Sequence, residues 1–155
     1  MLDHYILGDV GRISPEAPVP VVRVRTERHT AGGAGNVARN LAALGARPVL
    51  LSAVGDDDAG RMLATLLESG GVEAVLARET SRPTTIKTRI IAQNQQVVRV
   101  DREAETGLGE AACALIGRAL RRLVPNMIWR AFSPLPTTWW CSTRARCFSK
   151  VPSTP

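Results

Sequence analysis

The stretch Thr30-Ala31-Gly32-Gly33-Ala34-Gly35-Asn36 decides how this chain is read, because it runs straight into Ala34 to Leu44. There Val37, Leu41 and Leu44 recur at helical spacing before Gly45. Glycines let a backbone approach a ligand closely, and the first turn of a helix leaves N–H groups unpaired at the positive end of its dipole. The residues alone therefore describe either a seat for an anion or hydroxyl oxygens, or a tight turn and nothing more. No Lys-Ser/Thr pair follows, so this is not the phosphate loop GxxxxGK[ST].

Working outward, Ile6 to Val10 and Val19 to Thr26 read as extended segments, separated by Ser14-Pro15-Glu16-Ala17-Pro18, whose two prolines exclude helix. Pro48 to Val54 is an apolar strand. Gly55 and the acids Asp56, Asp57 and Asp58 suit a turn and the positive end of a second helix, with Met62, Leu63, Leu66 and Leu67 on one face. Gly70 and Gly71 stop it. Val72 to Ala77 is a short strand. Thr84 to Ala92 and Gln96 to Val100 are β-branched runs joined as a hairpin by Gln93-Asn94-Gln95. Glu110 to Leu123 is a helix with Ala112, Leu115, Ile116, Ala119 and Leu123 aligned, closed by Pro125.

The order β-α-β-α-β predicts an α/β fold with a largely parallel sheet and flanking helices. The two extended pairs, residues 6–26 and 84–100, break that rhythm and predict a small separate sheet. In the second pair Lys87 and Arg89 alternate onto one strand face, where a guanidinium and an ammonium could share a phosphate or merely meet solvent. Asp101 is read as the structural partner of a neighbouring arginine.

Composition bounds the rest. At 155 residues, 45% hydrophobic and 22% charged, the chain has the profile of a soluble globular protein. No run approaches the roughly 18 to 20 apolar residues of a membrane span, and no basic segment leads into an apolar core at the start, so a cytoplasmic location is expected. Cys113, Cys141 and Cys147 form no CxxC pair and have no histidine at metal-ligand spacing, which predicts free thiols and no metal site.

The net charge of +6 is unevenly placed. Residues 1–125 hold 16 Lys/Arg against all 14 Asp/Glu, whereas residues 126–155 hold Arg130, Arg144, Arg146 and Lys150 and no acid. The same thirty residues contain all three Trp, two of three Cys and four of ten Pro, and no hydrophobic period survives in them. The segment is either a flexible basic extension or the product of a reading-frame shift near Asn126. Tryptophan has a single codon, so Trp139-Trp140-Cys141 read one base earlier decodes as an apolar residue followed by Val-Val, the composition of a buried parallel strand.

Gly32-Gly33-Ala34-Gly35-Asn36 followed by Ala38, Gly45 and Gly55 resembles the first signature of the PfkB (ribokinase-like) carbohydrate kinase family. Met1-Leu2-Asp3 with Tyr5, Gly8-Asp9-Val10, Arg12-Ile13-Ser14-Pro15-Glu16-Ala17-Pro18-Val19-Pro20-Val21-Val22 and Arg82-Pro83-Thr84-Thr85-Ile86-Lys87-Thr88-Arg89 resemble the D-glycero-β-D-manno-heptose 7-phosphate kinases. These likenesses cover residues 1 to about 102. They imply a partial ribokinase-like fold, with residues 1–125 as the N-terminal part of a kinase domain and residues 126–155 as an aberrant tail. They also imply that Asp3 follows a first strand and holds sugar hydroxyls, that Gly32, Gly33 and Asn36 face the sugar, and that Lys87 and Arg89 contact its phosphate. The separate sheet would be a lid over the sugar, and two lids would clasp in a homodimer.

Phosphoryl transfer to a hydroxyl needs a group to take its proton and donors for the transferred phosphoryl, usually with Mg²⁺. In the family these come from a late Gly-Ala-Gly-Asp turn, and no such turn occurs here. The resemblance thus implies a parent activity that uses ATP and Mg²⁺ to phosphorylate a heptose 7-phosphate at O1 for ADP-heptose and lipopolysaccharide synthesis. In this chain no catalytic residue, tight cofactor binding or turnover is expected. Two alternatives stand beside it: a fragment of a ribokinase or fructokinase type, and a non-catalytic protein whose basic Trp-bearing tail contacts nucleic acid. Neither a membrane nor, on the first reading, a nucleic acid is expected as a partner.

Overall fold

The structure, a computed structural model, describes residues 1–124, so the readings of the tail fall outside the described residues. The chain opens with a long hairpin, β1 (Leu2–Ile13) and β2 (Pro20–Ala31), turned by the Ser14 to Pro18 segment. Then come α1 (Ala34–Ala43), β3 (Val49–Gly55), α2 (Asp58–Ser69) and β4 (Glu73–Glu79). A second hairpin, β5 (Ile86–Ala92) and β6 (Gln95–Arg102), and α3 (Glu110–Leu123) complete the described fold.

These elements form two sheets. The larger is four-stranded in the order β2-β1-β5-β6, with β1 parallel to β5 and both hairpins antiparallel; the smaller pairs β3 and β4 in parallel. The separate sheet expected from the broken rhythm is therefore present, and it joins the two hairpins side by side. Gln93 and Asn94, both at positive φ, make the tight turn that lets β6 fold back on β5.

The two sheets share one core. Leu2 and Ala31 from the four-stranded sheet pack with Ala38 of α1, Val54 of β3, Leu63 and Leu67 of α2 and Val72, and Ile86 joins from β5. Further along the same strands the sheet leaves this core, and β6 is exposed over its whole length. Helix α3 lies against β3 and β4. Among the described residues no helix is long and apolar enough to cross a membrane.

Two readings from periodicity need correction. In α1 the residues at helical spacing, Val37, Leu41 and Leu44, face outward at 57%, 45% and 84% exposure, while Gly35 and Ala38 are buried. A Cβ on Gly35 would stand 3.0 Å from the Ala31 Cβ and 3.3 Å from Leu67 Cδ2, so the helix approaches β2 and α2 through its smallest residues. In α2, Leu63 and Leu67 are buried as expected, but Met62 is exposed.

Candidate functional site

Strand alternation builds the site. Cross-strand pairs Asp3 with Thr30 and Tyr5 with Arg28 on one side, and Asp3 with Lys87 and Tyr5 with Arg89 on the other. Asp101 and Arg99 lie opposite Lys87 and Arg89 on β6. Because side chains alternate at a period of two, all eight lie on one face of the four-stranded sheet. The opposite face carries Leu2, His4 and Ile6, with the His4 and His29 rings stacked at 4.2 Å.

Asp3 is the centre of that polar face. Arg89 Nη1 donates to its Oδ1 at 2.7 Å, and both side chains are largely buried. That bond is the main reason the Arg89 guanidinium is held above its ordinary pKa, with the Asp3 charge adding to it. On the other side of the carboxylate lies Gly32, where an added Cβ would fall 2.5 Å from Asp3 Oδ2. A side chain at position 32 would displace the carboxylate. Gly32 also donates its N–H to the Met1 carbonyl at 3.1 Å, fixing the diglycine bend to the start of β1.

Gly33 takes φ 54°, a left-handed value that glycine adopts without strain, and turns the chain into α1. No side chain caps α1 and no acid lies in its first turn. By contrast, Asp57 caps α2, accepting from the Gly60 N–H at 2.8 Å, and Asp58 stands in its first turn. The positive end of α1 is thus left without the anionic partner that α2 supplies for itself.

The expected residues are placed as follows. Asp3, Gly32 and Arg89 meet directly, and Gly33 is adjacent. Asp3 is the second residue of β1. Lys87 shares the face but is engaged by carboxylates: Nζ donates to Asp101 Oδ2 at 2.7 Å and lies 3.5 Å from Glu103. The bond to Asp101 raises the Lys87 pKa and lowers that of Asp101. Asp101 also accepts from Arg99 at 3.0 Å, so its structural role extends to a lysine as well as an arginine. Asn36 is exposed on the first turn of α1, where it borders a groove shared with Arg39, Asn40 and Gly70.

Two groups escaped the sequence reading as site residues. Tyr5 carries two guanidinium groups over its ring, Arg28 at 4.8 Å and Arg89 at 5.5 Å from the centroid. Period-two alternation from Asp3 would have found Tyr5 had the strand been started at Leu2. Arg28 depends on the hairpin register, which shifts twice between β1 and β2. The second group is the clasp beneath the site. Thr84, 2% exposed, donates from Oγ1 to Asp57 Oδ1 at 2.6 Å, while its N–H donates to Oδ2 at 2.9 Å. Thr84 Oγ1 also accepts the Gly55 N–H at 2.9 Å. The clasp ties the α2 N-terminus to the segment that enters β5.

Among the described residues no group of three or more His, Cys, Asp or Glu is arranged to hold a metal ion. Chemically, the face offers a carboxylate beside open backbone for hydroxyl groups, and cations on either side of it.

Comparison with known proteins supplies the context for this geometry. Residues 3–115 match the family described as pfkB family carbohydrate kinase. The bifunctional protein HldE of Paramagnetospirillum magneticum is 48% identical over 127 residues, which are 81% of this chain and 26% of that protein. The D-beta-D-heptose 7-phosphate kinase of Bordetella bronchiseptica is 50% identical over 103 residues, 66% of this chain and 33% of that protein. The chain thus spans about a quarter to a third of the length of these relatives. Among solved structures, phosphofructokinase-2 from Escherichia coli in complex with fructose-6-phosphate aligns with a TM-score of 0.60 at 20% identity, covering 78% of this chain and 38% of that one. That likeness concerns the fold.

Proposed function

The chain belongs to the pfkB family of carbohydrate kinases, and from that premise we propose that its polar sheet face binds the sugar of a heptose 7-phosphate. The observation that carries this reading is the Asp3 carboxylate, held by Arg89 on one side and pressed against the Gly32 backbone on the other. A carboxylate so fixed accepts hydrogen bonds from sugar hydroxyls with little further loss of side-chain freedom. The diglycine backbone gives hydroxyl oxygens access to the uncapped end of α1, and Asn36 lies in the first turn of that helix. The name of the Bordetella bronchiseptica relative, D-beta-D-heptose 7-phosphate kinase, supports a heptose 7-phosphate as the sugar.

The parent reaction on this reading transfers the γ-phosphoryl group of ATP to O1 of D-glycero-β-D-manno-heptose 7-phosphate, towards ADP-heptose and lipopolysaccharide, in the cytoplasm. ATP, with Mg²⁺, would supply the phosphoryl group. The described residues do not fit that pair, having neither an acidic set for the metal nor a Lys-Ser/Thr phosphate loop, and no step is assigned to them. The role of this chain is sugar binding without turnover. A coupled assay of the 155-residue protein with ATP, Mg²⁺ and the sugar phosphate is expected to show no ATP consumption above the sugar-free rate. Stimulated consumption would place catalysis within this chain and overturn that part of the reading.

The four-stranded sheet is proposed as the lid over the sugar. A second copy of the chain is proposed to cover its other face, where Val98 and Val100 of β6 are exposed beside Ile90.

A further inference from the structure

We propose that Arg28, braced on Tyr5, is the receptor for the phosphate-bearing end of the sugar, in place of Lys87. The inference rests on the sugar-binding reading above and adds to it the residue that selects a phosphorylated substrate.

The charge pattern on the face supports the assignment. Lys87 is neutralised by Asp101 at 2.7 Å and approached by Glu103 at 3.5 Å, and Arg99 shares Asp101 at 3.0 Å. Arg89 is committed to Asp3. Arg28 is exposed, and among the described residues no carboxylate pairs with it; its recorded contact is the Tyr5 ring at 4.8 Å. The surplus positive charge of the face therefore lies at Arg28. Breaking an existing ion pair to bind phosphate at Lys87 would cost the interaction already made there, whereas Arg28 offers its donors without such a loss.

Geometry agrees with charge. Arg28 lies opposite Tyr5, and Thr30 lies opposite Asp3. Arg28 is thus one two-residue step, about 7 Å along the strand, from the carboxylate that would hold the ring hydroxyls. A phosphate on the exocyclic carbon chain of a heptose stands off from its ring by a distance of that order. Stacking on an aromatic face restrains the guanidinium while leaving its in-plane N–H groups open to a bidentate anion. Arg89 stacks over the same ring at 5.5 Å, which fixes the ring that braces Arg28, while its own charge stays paired with Asp3.

The test is calorimetric titration of the 155-residue protein with D-glycero-β-D-manno-heptose 7-phosphate and with the unphosphorylated heptose, at one fixed ionic strength. Arg28→Ala is expected to weaken binding of the phosphorylated sugar by about tenfold, the scale of a lost charge-assisted pair, and to leave the unphosphorylated sugar unaffected. Arg28→Lys, which keeps the charge without the planar fork, should recover part of the loss, and Lys87→Ala should change little. The proposal is overturned if Arg28→Ala binds the phosphorylated sugar as the unmodified protein does, or weakens both sugars equally, while the unmodified protein binds both. If the unmodified protein binds neither sugar, the sugar-site reading itself falls and takes this proposal with it.

Discussion

At Thr84 one hydroxyl does two jobs, donating to Asp57 and accepting from the Gly55 N–H, in a position from which water is excluded. Thr84→Val keeps the shape and removes both bonds, leaving a buried N–H and a carboxylate oxygen short of partners. The expected loss is about 1 to 3 kcal/mol, read as a lower urea midpoint with an unchanged slope. Burial raises the Asp57 carboxyl pKa, but the bonds from the Thr84 side chain, the Thr84 N–H and the Gly60 N–H together outweigh it and leave the group below its ordinary 3.8. Its stabilising contribution is therefore complete above that unfolded value and is lost as pH falls through the lower folded one. Unfolding followed by circular dichroism below about pH 4 should show this loss, and Asp57→Asn should flatten it. The helix-capping role of these acids was legible from their position after Gly55. Their bond to a threonine 27 residues away was not, because nothing in local sequence reports which loop will close over a helix end.

Among the elements, α1 shows where pattern reading succeeds and where it stops. Its limits were legible from the glycines at either end; Gly45 at φ 87° ends it, and the Ala46 N–H returns to the Leu41 carbonyl at 3.0 Å. Periodicity correctly put Val37, Leu41 and Leu44 on one face but could not say which way that face turns. The inward face is chosen by close approach of backbones, which needs Gly35 and Ala38. Gly35→Val should therefore destabilise by roughly 1 to 3 kcal/mol through clash with Ala31 and Leu67. Leu44→Ser, at 84% exposure, should stay within about 0.5 kcal/mol of the parent, and thermal melts of the two variants compare them directly. The hairpins were legible as extended pairs, but their strands are longer than the segments read: β1 also takes in Leu2 to Tyr5 and runs on through Gly11, which carries no side chain to mark a face.

For the whole molecule, two sheets meet over a single small core and the four-stranded one projects beyond it, with charge on one face and Ile90, Val98 and Val100 on the other. A second copy covering that apolar face should give concentration-dependent association in sedimentation velocity. Val100→Glu, on an exposed strand position, should shift the protein to monomer without lowering its melting temperature. The α/β class and the separate sheet followed from the broken βα rhythm, and Asp3, Gly32 and Arg89 were named from their motif wording. Which cations remain unpaired depended on strand register, and that is set only when the sheet forms.

Sugar binding depends on the fixed carboxylate of Asp3, and the decisive measurement is calorimetric titration of the 155-residue protein with heptose 7-phosphate, beside Asp3→Ala. Saturable binding near one sugar per chain is expected, lost in the variant while the fold persists by circular dichroism. Equal binding by both proteins, or none by the unmodified one, would rule out a sugar site built on Asp3.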